Sequence, residues 1–185
     1  PFVRDVLGAM AVQQGDKLPV SKLPADGTFP TATTQYEKRA IAEKVPEWDT
    51  AVCIQCGQCT VVCPHAVIRM KVLTDEQTAA APRTFKTAEL KPKPEVGKKM
   101  VLQVSTEDCT GCGVCVAVCP AKNKDNPALK AINMVHYTDE IRKNEAENWD
   151  YFARMPDADP ATLNLATPKG LALKRPLFEF SGACA

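Results

Sequence analysis

No apolar run in the 185-residue chain approaches the ~18 residues that a membrane span requires. Nothing in it resembles a secretory leader, and nine thiols without export features imply a reducing, cytoplasmic setting. Charge of one sign is also missing. With 23 basic and 22 acidic side chains, the net charge of +1 makes no electrostatic case for nucleic acid or an acidic membrane surface. No Ser/His/Asp constellation, phosphate-binding glycine loop or paired acid and base stands out, so hydrolytic and hydride chemistry have no support. Glycine is scarce, at nine against fifteen prolines. The prolines gather early (Pro19, Pro24, Pro30, Pro46), mid-chain (Pro82, Pro92, Pro94) and late (Pro156, Pro160, Pro168, Pro176). Such stretches read as extended segments that lie over something else.

What the chain does have is cysteine in a fixed rhythm. Cys53, Cys56, Cys59 and Cys63 are followed by Pro64, and Cys109, Cys112, Cys115 and Cys119 by Pro120. This C-x2-C-x2-C-x3-C-P run, present twice, is the one that binds a pair of [4Fe–4S] clusters in bacterial ferredoxins, where the fourth cysteine ligates the other cube. The expected ligand sets are therefore Cys53, Cys56, Cys59 and Cys119 for one cluster, and Cys109, Cys112, Cys115 and Cys63 for the other. Aligned at an offset of 56, the two copies share seven of fourteen positions, including Gly57 with Gly113. A residue without a side chain lets backbone N–H groups approach cluster sulfur. Zinc sites use two CxxC pairs and need neither the third nor the fourth cysteine at these spacings. A disulfide framework suits small secreted chains.

Around the motifs, the pattern predicts an α+β, bacterial two-[4Fe–4S] ferredoxin-like core over 48–137, with strands at 67–72, 100–104 and 131–135. Short helical turns are expected at 60–63 and 116–119, carrying the fourth cysteines. Residues 1–47 read as an extended arm with one short helix from the capping box at Thr34 and Glu37 to about Lys44. An insertion at about 74–99 is polar and proline-broken, ending in a basic stretch that reads as a solvated loop or a docking face for an acidic acceptor. Thr138-Asp139-Glu140 opens a helix to about Arg154. Residues 138–185 are that helix and an extended connector, with a possible strand at 177–180. His65 reads as a polar surface or cluster-supporting residue, His136 as structural, and Trp48 and Trp149 as packing.

Cys184 belongs to neither tetrad. The run Leu177-Phe178-Glu179-Phe180-Ser181-Gly182-Ala183-Cys184-Ala185 resembles the segment of pyruvate:ferredoxin (flavodoxin) oxidoreductases that supplies cysteines to a third cluster. Further stretches are similar to the same family: 15–21, 26–31, Glu37-Lys38-Arg39, 119–124, 130–134 and Glu147-Asn148-Trp149-Asp150. The resemblance implies a segment of a large homodimeric enzyme. That enzyme oxidatively decarboxylates pyruvate on thiamine diphosphate with Mg2+ and acetylates coenzyme A. Electrons pass through three [4Fe–4S] clusters to ferredoxin or flavodoxin. In this reading Cys184 is part of the third site, the chain contains no catalytic residue for pyruvate, and a thiamine-binding domain follows it. A free-standing two-cluster ferredoxin is the rival reading, and a zinc-binding interaction module the other.

Overall fold

The computed structural model describes residues 1–30, 33–36, 38–91 and 98–176. The chain divides into two compact units, Pro1–Lys38 and Arg39–Ala185.

The first unit opens helically rather than as the expected extended arm. Val3–Leu7 forms a π-helical turn that runs into α1, Gly8–Ala11. Residues 2–11 contain no proline, and Val3, Val6, Leu7 and Met10 recur at helical spacing with Val6 buried. Prolines then confine the chain to short 3-10 turns at Gly15–Lys17, Val20–Lys22 and Thr33–Tyr36. The helix expected from Thr34 to Lys44 is this last turn only, and its capping partner Glu37 lies outside the described residues.

In the second unit the expected boundary at 47/48 falls inside a strand. β1, Lys44–Trp48, pairs antiparallel with β5, Ile132–His136, with Pro46 opposite Met134. Two causes displace the helix. Pro46 biases Val45 toward extended backbone. Ala40, at φ 49°, donates its N–H to the Glu107 carbonyl at 2.9 Å, which turns the chain before the strand.

A second sheet is antiparallel in the order β2 (Ile68–Leu73), β4 (Lys99–Val104), β3 (Ala88–Glu89). Alternation along β2 and β4 sorts side chains to two faces. Ile68, Met70, Met100, Leu102 and Val104 join the core that contains the cysteines. Leu73 and Val101 join a second core with Phe85, Phe152 and Met155. The latter core is covered by α5, Asp139–Arg154, whose N-cap Thr138 hydroxyl accepts from the Ile141 N–H. Lys71, 6% exposed, crosses the same face. It donates to the carbonyls of Phe152 (3.1 Å) and Met155 (2.6 Å) and pairs with Asp157 at 3.0 Å. A cation thereby satisfies the carbonyls that the end of α5 leaves orphaned.

The insertion is more than a solvated loop. Thr74 and Gln77 form a full capping box on α3, Asp75–Ala79. Phe85 and Leu90 are buried, and Ala88–Glu89 adds the third strand. Residues 92–97, most of the basic stretch, lie outside the described residues. The late segment also departs from an extended connector. α6, Pro168–Leu173, is started by the Thr167 hydroxyl, which accepts from Gly170 N–H, with proline at its first turn. The strand expected at 177–180 lies outside the described residues. Among those residues no helix is long and apolar enough to cross a membrane.

Candidate metal centre

The two cysteine loops are built alike. In each, the first cysteine's Sγ accepts a backbone N–H from two residues on: Gln55 to Cys53 at 3.3 Å, and Gly111 to Cys109 at 3.4 Å. These donors have left-handed backbones, at φ 60° and 72°. Gly57 and Gly113 follow, at φ 76° and 74°, and cap α2 (Gln58–Val61) and α4 (Val114–Val118). One N–H in each loop is thereby aimed at cysteine sulfur. The helical turns start two residues earlier than the sequence predicts. They carry the third cysteines, Cys59 and Cys115, rather than the fourth. Cys119 is already extended, at φ −65° and ψ 118°, because the residue before a proline is driven out of the helical region.

One cavity, partly open to solvent, is lined by Cys53, Cys56, Cys59 and Cys119 with Trp48, Met70 and Ile132. The other is lined by Cys63, Cys109, Cys112 and Cys115 with His65, Val67 and Met134. Each set takes three thiols from one motif and one from the other. All eight are free thiols in the structure. His65 is buried rather than at the surface, at 8% exposure. Cys184 lies outside the described residues.

The thiols perturb one another. Burial first, and then the neighbouring Cys53, Cys56, Cys115 and Cys119, push Cys59 up to about 12. Burial does the same for Cys115, to about 11, against a helping backbone N–H from Val116. Burial also raises Cys109, opposed by the Gly111 N–H. α2 and α4, which carry Cys59 and Cys115, pack against each other, so the two cavities are neighbours. Four packed thiols in an apolar wall cannot ionise together without cations to hold them. Sulfur-only donors with backbone N–H groups aimed at them suit iron–sulfur chemistry. Among the described residues no three His, Cys, Asp or Glu side chains converge as one metal ion requires. A cube, with iron and sulfide between the thiolates, holds its ligands further apart than a single zinc does.

Surroundings distinguish the two loops. A Cβ on Gly57 would sit 2.7 Å from Ala172 Cβ and 2.8 Å from the Pro168 carbonyl, so α6 lies directly on the first loop. A Cβ on Gly113 would meet nothing within 4 Å, and Cys112 is exposed. Gln55, 2% exposed, donates to the Glu89 carbonyl at 2.6 Å and accepts from the Lys91 N–H at 2.8 Å. Those bonds hold a non-glycine residue left-handed where the second loop uses Gly111. Sequence reading passed over Gln55 and Lys169, and took Lys91 only as the start of the basic stretch. The available signal was that Gln55 aligns with Gly111, a glycine position filled by a long polar side chain.

Models of a 4Fe-4S dicluster domain match residues 52–123 and 100–152, and a domain of unknown function matches residues 1–42. The chain is 54% identical to a pyruvate-flavodoxin oxidoreductase of Trichormus variabilis, across 97% of its own length and 15% of the relative's. It is 53% identical to one from Nostoc sp. and 45% identical to a pyruvate:ferredoxin oxidoreductase of Moorella thermoacetica, in both cases across 100% of this chain and 15% of the relative. The chain is thus homologous from end to end to a segment of these oxidoreductases, and it spans about 15% of their length.

Proposed function

We propose that this chain, homologous to one segment of pyruvate-flavodoxin oxidoreductases, conducts electrons in an enzyme of that kind. Cys53, Cys56, Cys59 and Cys119 would hold one [4Fe–4S] cluster, and Cys63, Cys109, Cys112 and Cys115 another. When bound, such clusters supply one-electron redox steps. The observation that carries the reading is the lining of two adjacent apolar cavities by four thiols each, with sets that cross between the motifs. The thiols anchor the cubes, the left-handed residues direct N–H groups at sulfur, and the apolar walls exclude water.

In the whole enzyme, electrons released by oxidative decarboxylation of pyruvate on thiamine diphosphate and Mg2+, with coenzyme A as acetyl acceptor, enter through a third cluster that includes Cys184. They leave for a ferredoxin or flavodoxin. The first loop, beneath α6, is the inner one. The second loop, where Cys112 is exposed and Gly113 faces open space, is the exit. The remaining domains and a second copy of the enzyme complete the assembly.

The test is Cys56→Ser in the parent polypeptide, prepared without oxygen. Loss of one cluster's iron and sulfide, with collapse of pyruvate-dependent flavodoxin reduction, is expected. Full acceptor reduction in that variant would refute the conduit.

A further inference from the structure

Resting on the cluster reading above, we propose that the ammonium group of Lys169, laid over the first cysteine loop by α6, raises the reduction potential of the cluster held by Cys53, Cys56, Cys59 and Cys119. Its backbone is fixed. Thr167 caps α6, Asn164 leaves no room for a side chain at residue 170, and Ala172 and Pro168 press on Gly57. From there Lys169 Nζ donates to the Lys91 carbonyl and, at 3.4 Å, to Gln55 Oε1. Gln55 stands between Cys53 and Cys56, and its N–H is the one bonded to Cys53 Sγ. Both acceptors of Lys169 are uncharged, so its positive charge is not cancelled there. The Lys91 ammonium adds a second, more exposed cation, donating to the Cys53 carbonyl at 3.4 Å.

The coupling is geometric: Lys169 reaches the side chain of Gln55, the residue whose N–H is bonded to Cys53 Sγ. Each electron added makes a thiolate-bound cluster more negative, so a fixed cation favours the reduced state. The second motif has a cation of its own, Lys130, which donates to the Val116 and Ala117 carbonyls at 2.7 and 3.1 Å. Lys169 stands on the first loop, so its charge acts chiefly on the first cluster.

The experiment is a reductive titration of the parent polypeptide, with dithionite as electron donor and electron paramagnetic resonance as readout. Among the parent's signals, the two from this segment are assigned by their loss in Cys56→Ser and Cys112→Ser. Lys169→Met should move the first cluster's midpoint to more negative potential and leave the second where it was. Lys169→Arg, which keeps the charge, should restore most of the shift. If Lys169→Met fails to load its clusters, Lys91→Met gives a smaller shift of the same sign. An unmoved midpoint in a fully loaded Lys169→Met, or in the Lys91→Met variant used in its place, overturns the inference. So does an equal shift in both clusters. Survival of every wild-type signal in both Cys56→Ser and Cys112→Ser overturns the cluster reading instead.

Discussion

Gly57 and Gly113 occupy the same place in the two loops, and replacing each by alanine separates backbone strain from packing. Both have left-handed backbones, at φ 76° and 74°, so each alanine carries a conformational cost of roughly 1–2 kcal/mol. At Gly113 that is the whole cost, because the new methyl meets nothing within 4 Å. At Gly57 the methyl would stand 2.7 Å from Ala172 Cβ and 2.8 Å from a backbone oxygen, neither of which is a flexible chain end. Relieving that overlap means shifting α6, an overpacking cost of about 1–3 kcal/mol more. Gly57→Ala should therefore lose roughly 2–5 kcal/mol in sum. The assay is anaerobic thermal denaturation followed by cluster absorbance, with limited proteolysis reporting on α6. Gly57→Ala should expose the 160–176 region to protease, and Gly113→Ala should not. Equal destabilisation of the two variants, with equal protection of α6, would refute the packing of α6 on the first loop.

Further outcomes follow from the α5 face and from the cavities. Burial raises Glu145 above its ordinary 4.5, although Gln103 and Asn148 donate to it. A carboxyl raised by folding favours the folded state below its unfolded value, and that support is lost as pH climbs through the folded value. Glu145→Gln should thus raise the melting temperature near neutrality, with the gain fading toward pH 4.5; a gain independent of pH would count against it. Lys71→Met leaves the Phe152 and Met155 carbonyls and Asp157 without their cation, and should cost about 1–3 kcal/mol in chemical unfolding. Stripping iron under anaerobic conditions removes the centre of the core that contains Cys109 and Cys115, and should abolish the circular dichroism of β2 and β4 together. Retention of native dichroism without iron would show that the thiol cavities are not structural.

Local pattern revealed some elements and hid others for a common reason. β2 largely alternates apolar and polar residues, β4 and β5 are short apolar-rich runs, and Thr138 before two acids announces α5. The cysteine motifs carry their spacing on the surface of the sequence. β1 gave no such signal, because Pro46 reads as a breaker and the strand exists through pairing with distant Ile132–His136. The bend that replaces the expected helix depends on Ala40 reaching Glu107. α6 is short and bounded by proline, so its packing on Gly57 could not be foreseen from 168–173 alone. Gln55 is defined by partners at Glu89, Lys91 and Lys169. Features set by neighbours along the chain were legible, and those set by contacts across it were not.

The crossed lining of the cavities has a consequence for how the chain matures. The first cavity takes its wall from Trp48 through Ile132, and the second from Pro46 through Met134. On the ribosome, neither compartment is closed until β5 has emerged and paired with β1. A nascent chain halted after Cys63 offers four thiols but no finished chamber. If the chambers take clusters as proposed, loading of either one must wait for the second half of the segment.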